Sequence, residues 1–215
     1  DNAFKEKFFH VPLTEQPEYN GTQLIHSKVI ASYLRQLLRN DLQYAPFRME
    51  GMEQDVREMM EIDTPQGKLA LQIGGTIDRL DSKGDTLRIV DYKTGGTPKT
   101  PENIEQLFTP ADNRPNYIFQ TFLYAAILCR KQSLKVAPSL LYIHRAASES
   151  YSPVIEMGAP RQPKVPVNNF AFFEDEFRER LHGLLQEIFS LEETFSQTED
   201  TRKCEYCDFR SLCKR

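Results

Sequence analysis

Two short segments of this 215-residue chain combine acidic and basic side chains at spacings that suit phosphate chemistry. The first, Gly75–Asp81, contains Asp78, and the second, Ile89–Gly95, contains Asp91 and Lys93. Two carboxylates on adjacent strands can hold Mg²⁺, which prefers hard oxygen ligands and keeps waters that phosphate oxygens can replace. A lysine two residues further on can orient a metal-bound water or neutralise the phosphate during attack. These residue types therefore predict hydrolysis of a phosphodiester bond.

Strand geometry determines whether these side chains can meet. Alternate residues of a strand project from the same face, so Asp91 and Lys93 project together while Tyr92 points away. If the two segments pair as neighbouring strands through a turn at 82–85, Asp78 lies beside Asp91. The alternative is that all these charges are exposed on strand surfaces. Against it, Asp91 and Lys93 end an Ile-Val run, where burial makes unpaired charges costly.

A second polar pair lies downstream of the strands. Gln120 and Tyr124 stand at positions i and i+4 of a helix that is expected to begin at Pro115, so they share one face of it. Gln120 lies among apolar residues and therefore requires a polar partner.

The apolar pattern predicts the elements that position these residues. An amphipathic helix is expected over Thr22–Leu42, and Pro46 prevents its continuation. Turn residues at 66–67 and 82–85 divide the next segment into a three-stranded meander. The remaining expected elements are a helix from Pro115 to about Arg130, buried strands at Pro138–Arg145 and Ser152–Met157, and a long helix capped by Asn168 or Asn169 with an apolar face from Phe170 to Leu191.

Three motifs follow one another along the chain: Gly-x-x-Asp-Arg-x-Asp, Asp-Tyr-Lys-Thr-Gly and Gln-x-x-x-Tyr. In this combination, the segment from Pro46 to Arg215 resembles the RecB-like branch of the PD-(D/E)xK nuclease superfamily, particularly the nuclease domain of AddB-type helicase-nucleases. The resemblance implies an α/β fold with a restriction-endonuclease-like mixed central β-sheet flanked by α-helices. We expect an N-terminal helical segment packing on the core at 1–45, a nuclease core at 46–200 and a Cys-rich tail at 201–215.

The resemblance also implies roles for individual residues. These are Asp78 and Asp91 as metal ligands, the Tyr92 carbonyl as a backbone ligand, Lys93 as the catalytic lysine, and Gln120 with Tyr124 as the last catalytic motif, near DNA. Glu53 resembles an acidic residue before the hairpin of these domains and is a candidate ligand; the alternative is a solvated strand residue. His26 is another candidate, in a segment similar to Gly-Thr-x-x-His but one residue longer. The alternative is that the motif histidine lies upstream of this chain.

Cys204, Cys207 and Cys213 are spaced so closely that their thiolates can meet on one metal. In AddB-type nucleases such a triplet joins a distant upstream cysteine around a [4Fe-4S] cluster, so the resemblance implies iron-sulfur ligands. The other cysteine, Cys129, lies near the end of an apolar helix and is predicted to be a buried thiol. We therefore expect the fourth ligand to belong to a longer parent protein and the cluster to be absent or incomplete here. A disulfide within the triplet is the alternative, which a reducing cytoplasm disfavours.

Composition narrows the class of protein. A formal net charge of −4 argues against a uniformly basic protein that coats nucleic acid, but it allows a local basic groove. No segment reaches the roughly 20 apolar residues of a membrane-spanning helix. The N-terminal residues lack the apolar region of a signal peptide, so we expect a cytoplasmic protein with no membrane partner. Because the chain starts with Asp1 rather than Met, we also expect it to be part of a longer protein.

The motifs and the resemblance together predict a deoxyribonuclease domain, specifically an exonuclease, that uses Mg²⁺ or Mn²⁺. The resemblance implies single-stranded DNA or unwound ends as substrate. It also implies a helicase portion or partner subunit in a parent complex for double-strand-break repair and recombination. No Gly-x-x-x-x-Gly-Lys phosphate loop of a motor occurs in the chain itself. The alternative is a catalytically inactive nuclease-like module that binds DNA or acts as a scaffold.

Overall fold

A four-stranded mixed sheet forms the centre of the computed structural model, which describes residues 2–148, 150–190, 194 and 196–215. The strand order is β1-β2-β3-β4. β1, β2 and β3 form an antiparallel meander, as the turn residues predicted, and β4 runs parallel to β3. The bounds are β1 Arg48–Thr64, β2 Gly67–Lys83, β3 Thr86–Lys93 and β4 Lys135–Tyr142.

Glycines allow both turns of the meander. Gly67 follows the turn between β1 and β2 with φ of 120°, and Gly84 lies in the next turn with φ of 62°. Both values fall where side chains are disfavoured, so glycine lowers the cost of each reversal. The short second turn sets the β2–β3 register, in which Lys83 pairs with Thr86.

Three long helices pack on the sheet. α2 (Gly21–Tyr44) begins with a capping box in which Asn20 and Gln23 exchange hydrogen bonds between side chain and backbone. α3 (Asn116–Cys129) connects the parallel strands β3 and β4, and α4 (Glu174–Ile188) follows later in the chain. The short helices are α1 (Asn2–Phe4), a π-helix (Lys5–Phe9), α5 (Arg210–Cys213) and 3₁₀ turns at Glu105–Leu107, Ile143–Arg145, Phe170–Phe172 and Thr201–Cys204. No described helix is long and apolar enough to cross a membrane.

Helices cover both faces of the sheet because β3 is apolar on both sides. Ile89 belongs to the larger core cluster, together with Phe122 of α3 and Phe177 of α4. Its neighbour Val90 belongs to a second cluster, against which Leu37 of α2 packs. The predicted fold class, a mixed sheet flanked by helices, is therefore confirmed.

Two expected elements differ in the structure. Ser152–Met157 is not a further strand of the central sheet. It meets β4 at the isolated Ser139–Val154 bridge, where the Leu140 N–H donates to the Pro153 carbonyl, and then forms β5 (Glu156–Met157), which pairs with β6 (Val165–Pro166). Pro153 explains the interruption, since proline has no N–H to offer to a ladder. The last helix is preceded by the 3₁₀ turn at Phe170–Phe172, which Asn169 caps, and Leu191 lies outside the described residues.

Candidate active site

The β2–β3 register brings the acidic residues of both motifs together. The last pair of the ladder is Arg79 with Val90, so Asp78 and Asp91 are the next cross-strand neighbours at its open end. Beyond them, the Tyr92 N–H donates a hydrogen bond to Asp78 Oδ2 at 2.7 Å. The β3 backbone therefore holds one carboxylate next to the other.

Asp91 is the more buried member of this pair, with 3% of its surface exposed. Lys93 Nζ lies 2.5 Å from Asp91 Oδ2. The contact is an ion pair without hydrogen-bond alignment, and within the described part of the chain Oδ2 has no hydrogen-bond partner. Burial raises the pKa of Asp91; the close side-chain contact with Lys93 and the Lys93 charge oppose this shift, and the Asp78 charge adds to it. Further positive charge here would stabilise the ionised carboxylate.

A stripe of polar residues on α3 surrounds Lys93. The Tyr117 ring centroid lies 4.3 Å from Lys93 Nζ, a cation–π distance. Lys93 Nζ also donates to Gln120 Oε1 at 3.5 Å, and Gln120 Nε2 donates to Tyr124 Oη at 3.0 Å. The spacing of three and four residues puts these side chains on one helix face. They hold the lysine ammonium group beside Asp91.

Gly75, the first residue of the Gly-x-x-Asp-Arg-x-Asp motif, lets α3 approach the sheet. A Cβ at this position would lie 2.7 Å from Tyr124 Oη and 3.0 Å from its Cε1. Both distances are shorter than ordinary van der Waals contact. The glycine thus makes room for Tyr124, which in turn holds Gln120.

The opposite face of the strands carries a buried charge cluster. Arg79 Nη1 donates to both carboxylate oxygens of Asp41 at 3.0 and 2.8 Å, and to Tyr92 Oη at 3.1 Å. Arg79 Nη2 lies 3.0 Å from Asp81 Oδ2, and Asp81 accepts two hydrogen bonds from Arg88. Mutual pairing offsets part of the cost of burying these charges, and Arg79 Nε and Nη2 have no hydrogen-bond partner among the described residues. The cluster joins α2 to β2 and β3.

Tyr117 and Arg79 have roles in the site that were not predicted from the sequence. Tyr117 precedes Gln120 by three residues, so the helical spacing that selected Tyr124 could also have selected it. Arg79 belongs to the recognised motif. Strand alternation could have assigned it to the face opposite Asp78, where a buried arginine requires an acidic partner.

The two additional candidate ligands differ in their relation to the carboxylate pair. His26 is exposed on α2, whose side chains pack on the Tyr92 face of the sheet. Glu53 is exposed and has φ of 48°. The β1–β2 register pairs Met52 with Arg79 and Gln54 with Ile77, which places Glu53 across from Asp78. Among the described residues, no group of three or more His, Cys, Asp or Glu side chains is placed to hold a metal ion. Metal binding by either residue stays a prediction.

The pair Asp78 and Asp91 suits a hard divalent cation. One buried carboxylate oxygen, Asp91 Oδ2, lacks a hydrogen bond, and a second carboxylate is its cross-strand neighbour. Mg²⁺ commonly uses one or two protein carboxylates and completes its shell with waters and substrate phosphate oxygens. The donor set therefore fits Mg²⁺ or Mn²⁺ without a third acidic side chain.

A cavity of about 310 Å³ lies between the loop after β3 and the start of α3. Its walls include Lys99, Arg114 and Tyr117, and Tyr117 is 43% exposed. A larger cavity of about 710 Å³ lies at the end of β4 and shares Lys99 and Tyr142 with the first. Cationic groups next to an exposed aromatic ring suit the backbone and bases of a single nucleic-acid strand.

The cysteines of the tail do not form a metal centre within the described residues. Cys204, Cys207 and Cys213 are free thiols, and the tail contacts the rest of the chain through hydrogen bonds from Arg202 to Asp112 and Asp200. Cys129 packs against the larger core cluster, where burial raises its pKa to about 11. The predicted buried thiol is therefore partly buried in the structure.

Comparison with known proteins supports the same superfamily. A family model described as the PD-(D/E)XK nuclease superfamily matches residues 1–214. No curated protein matches the chain in sequence. The match extends over α2, the meander and α3, and so includes both strands that carry the acidic pair. The chain belongs to the PD-(D/E)XK nuclease superfamily.

Proposed function

We propose that the protein is a metal-dependent deoxyribonuclease that hydrolyses DNA phosphodiester bonds at Asp78, Asp91 and Lys93. One observation carries the proposal: the buried Asp91 carboxylate is the cross-strand neighbour of a second carboxylate, and its Oδ2 lies 2.5 Å from Lys93 Nζ. Superfamily membership supports it independently, because members of this superfamily are generally nucleases.

Each residue of the site would have a defined task. Asp78, Asp91 and the Tyr92 carbonyl would hold a divalent cation, which supplies charge stabilisation at the phosphate and lowers the pKa of water. Lys93 would place its positive charge next to the phosphate oxygens as negative charge develops there. Gln120 and Tyr117 would keep the lysine in that position. Water would lose a proton to solvent as its oxygen bonds to phosphorus, the bond to the leaving oxygen would break, and that oxygen would take up a proton from solvent.

We further propose an exonuclease of the RecB-like, AddB-type class, acting on single-stranded DNA or unwound ends. Its helicase portion or partner subunit would belong to a complex for double-strand-break repair and recombination. The order of the three motifs supports this class. The cysteine triplet supports a [4Fe-4S] cluster in a longer parent protein. Lys99 and Arg114 beside the exposed Tyr117 ring support a single-stranded substrate.

The test is cleavage of end-labelled single-stranded DNA with Mg²⁺ by Asp91→Ala and Lys93→Ala variants. Both variants should lose cleavage and remain folded. Asp85→Ala and Lys135→Ala are the matched controls, because Asp85 and Lys135 form an exposed ion pair of the same residue types at the opposite end of β3 and β4. The controls should cleave at the wild-type rate. Equal rates for all four variants would exclude the proposed site.

The second candidate function is an inactive DNA-binding or scaffold module. The observation that favours it is that no group of three or more His, Cys, Asp or Glu side chains among the described residues is placed to hold a metal ion. Calorimetric titration with Mn²⁺ separates the two functions. Binding that Asp91→Ala abolishes supports the nuclease, and absence of binding to the wild type supports the inactive module.

A further inference from the structure

Tyr92 connects the two faces of the sheet. On one face, its backbone N–H donates to Asp78 Oδ2 at 2.7 Å. On the other face, its hydroxyl accepts a hydrogen bond from Arg79 Nη1 at 3.1 Å. The same residue therefore contacts a carboxylate of the proposed metal site and a buried arginine on the far side.

Arg79 is itself held firmly. It is 3% exposed, and its Nη1 donates to both carboxylate oxygens of Asp41 on α2. Its guanidinium carbon also lies 4.8 Å from the centroid of the Phe47 ring. Buried on all sides, the arginine has little freedom to move away from Tyr92 without leaving charges unpaired.

We propose that Arg79 is a positioning residue for the metal site, acting through Tyr92. Together with Asp41 it forms a buried clamp that fixes the Tyr92 ring, and thereby the backbone that carries both the N–H bonded to Asp78 and the carbonyl offered to the cation. The expected effect of this clamp on metal affinity rests on the proposed function. The clamp itself is a property of the metal-free protein.

The order of residues along β2 and β3 explains how Arg79 can influence a site on the opposite face of the sheet. Asp78 and Arg79 are adjacent on β2 and project to opposite faces, as Asp91 and Tyr92 do on β3. One residue of each pair lies at the carboxylate site and the other belongs to the clamp. Partners that orient metal ligands from outside the coordination shell typically change metal affinity by about 10- to 100-fold when they are removed.

The clamp also gives α2 a role in the site. Asp41 lies near the C-terminal end of α2, outside the strands that carry the acidic pair. A displacement of α2 would therefore move Arg79, then Tyr92, and so change the position of the Asp78 carboxylate. The N-terminal helical segment is part of the positioning machinery of the site and not only a cover for the sheet.

Two measurements on Arg79→Lys and Tyr92→Phe test the proposal. The first is the dissociation constant for Mn²⁺, followed by electron paramagnetic resonance of the free ion. The second is hydrogen exchange of the Tyr92 amide in metal-free protein, compared with the Val90 amide on the same strand. We expect the Mn²⁺ dissociation constant to rise about tenfold in each variant. The Tyr92 amide should exchange faster while the Val90 amide keeps its protection.

Arg178→Lys is the matched control. Arg178 is an equally buried arginine that bonds Glu58 and Glu174 and joins α4 to β1, with no contact to Tyr92. This variant should lose stability but keep the wild-type Mn²⁺ affinity and Tyr92 amide protection. If it weakens Mn²⁺ binding as much as Arg79→Lys does, the effect is general destabilisation and the proposal is wrong.

Tyr92→Phe decides the outcome if Arg79→Lys does not fold, because it keeps the ring and removes only the hydroxyl. Wild-type Mn²⁺ affinity together with wild-type Tyr92 amide protection in this variant would overturn the clamp. If the wild-type protein binds no Mn²⁺, the proposed nuclease function fails. The amide exchange still tests the clamp in that case, since it requires no metal.

Discussion

Gly75→Ala tests the steric reasoning about the site directly. The added Cβ would lie 2.7 Å from Tyr124 Oη, 3.0 Å from Cε1 and 3.2 Å from Cζ. The nearest contact falls about 0.8 Å short of an ordinary ~3.5 Å separation. Tyr124 is only 5% exposed, so its ring cannot turn into solvent. Overpacking of this kind costs about 1–3 kcal/mol, which corresponds to a melting temperature lower by about 2–12 °C in a protein of this size.

The same displacement should reach the catalytic lysine. Tyr124 Oη accepts from Gln120, and Gln120 accepts from Lys93. Because a misplacement of about 1 Å can cost about 100-fold in rate, we expect Gly75→Ala to slow DNA cleavage by about 10- to 100-fold.

The assay is urea unfolding of Gly75→Ala, Tyr124→Phe and the double variant, with cleavage rates measured in parallel. Tyr124→Phe removes the hydroxyl oxygen, so the atom closest to the added Cβ is then Cε1 at 3.0 Å. Gly75→Ala should therefore lower the free energy of unfolding by less in the Tyr124→Phe background than in the wild type. Gly183→Ala on α4 is the control, since a Cβ there meets nothing within 4 Å and alanine favours the helix. Wild-type stability of Gly75→Ala, or an equal cost in both backgrounds, would refute the reasoning.

Three further outcomes follow from the site and the cysteines. Free Mn²⁺ at about 100 times its dissociation constant should raise the free energy of unfolding by about 2.7 kcal/mol in the wild type and by much less in Asp91→Ala; calorimetric scans that show equal shifts would contradict Asp91 as a ligand. The second outcome concerns the metal-free protein, kept so by EDTA, in which burial raises the pKa of Asp91. The folded protein therefore retains a proton that the unfolded chain releases. As a result, the free energy of unfolding of the wild type falls as the pH rises through that raised pKa. Urea unfolding should therefore show that the stability of Asp91→Asn increases relative to that of the wild type above about pH 4. A stability difference that does not change with pH would contradict the raised pKa. With its pKa raised to about 11, Cys129 should react with a thiol reagent at pH 8 far more slowly than the exposed Cys207, as mass spectrometry can follow, and equal rates would argue against its burial.

Short-range patterns predicted the elements of the site well. Turn residues and strand alternation predicted the meander and the adjacency of Asp78 and Asp91. Side chains of a strand alternate between two faces, and the length of the turn sets which residues of the two strands lie opposite each other. Helical spacing likewise predicted that Gln120 and Tyr124 share one face of α3. Each of these inferences spans only a few residues, over which local geometry determines relative position.

Longer-range relations were beyond the sequence patterns. Ser152–Met157 has the composition of a strand, yet it meets β4 in a single isolated bridge. Its pairing depends on which backbone groups of β4 remain without a partner and on Pro153, which has no N–H to donate. The β1–β2 hairpin also extends far beyond the third strand, since each of its strands has 17 residues and only the end of β2 pairs with β3. Strand length in such a hairpin depends on helices packing against it from distant parts of the chain.

By itself, the sequence predicted two carboxylates and a lysine on neighbouring strands, in a chain that belongs to one nuclease superfamily. Only the tertiary structure decided which residues support them. It brought Asp41, 38 residues away in sequence, to Arg79 and through it to Tyr92, and it set Tyr117 against Lys93. The physical reason is that a buried charge must find its partner wherever packing brings one, and packing between distant segments follows from the whole chain and not from local spacing.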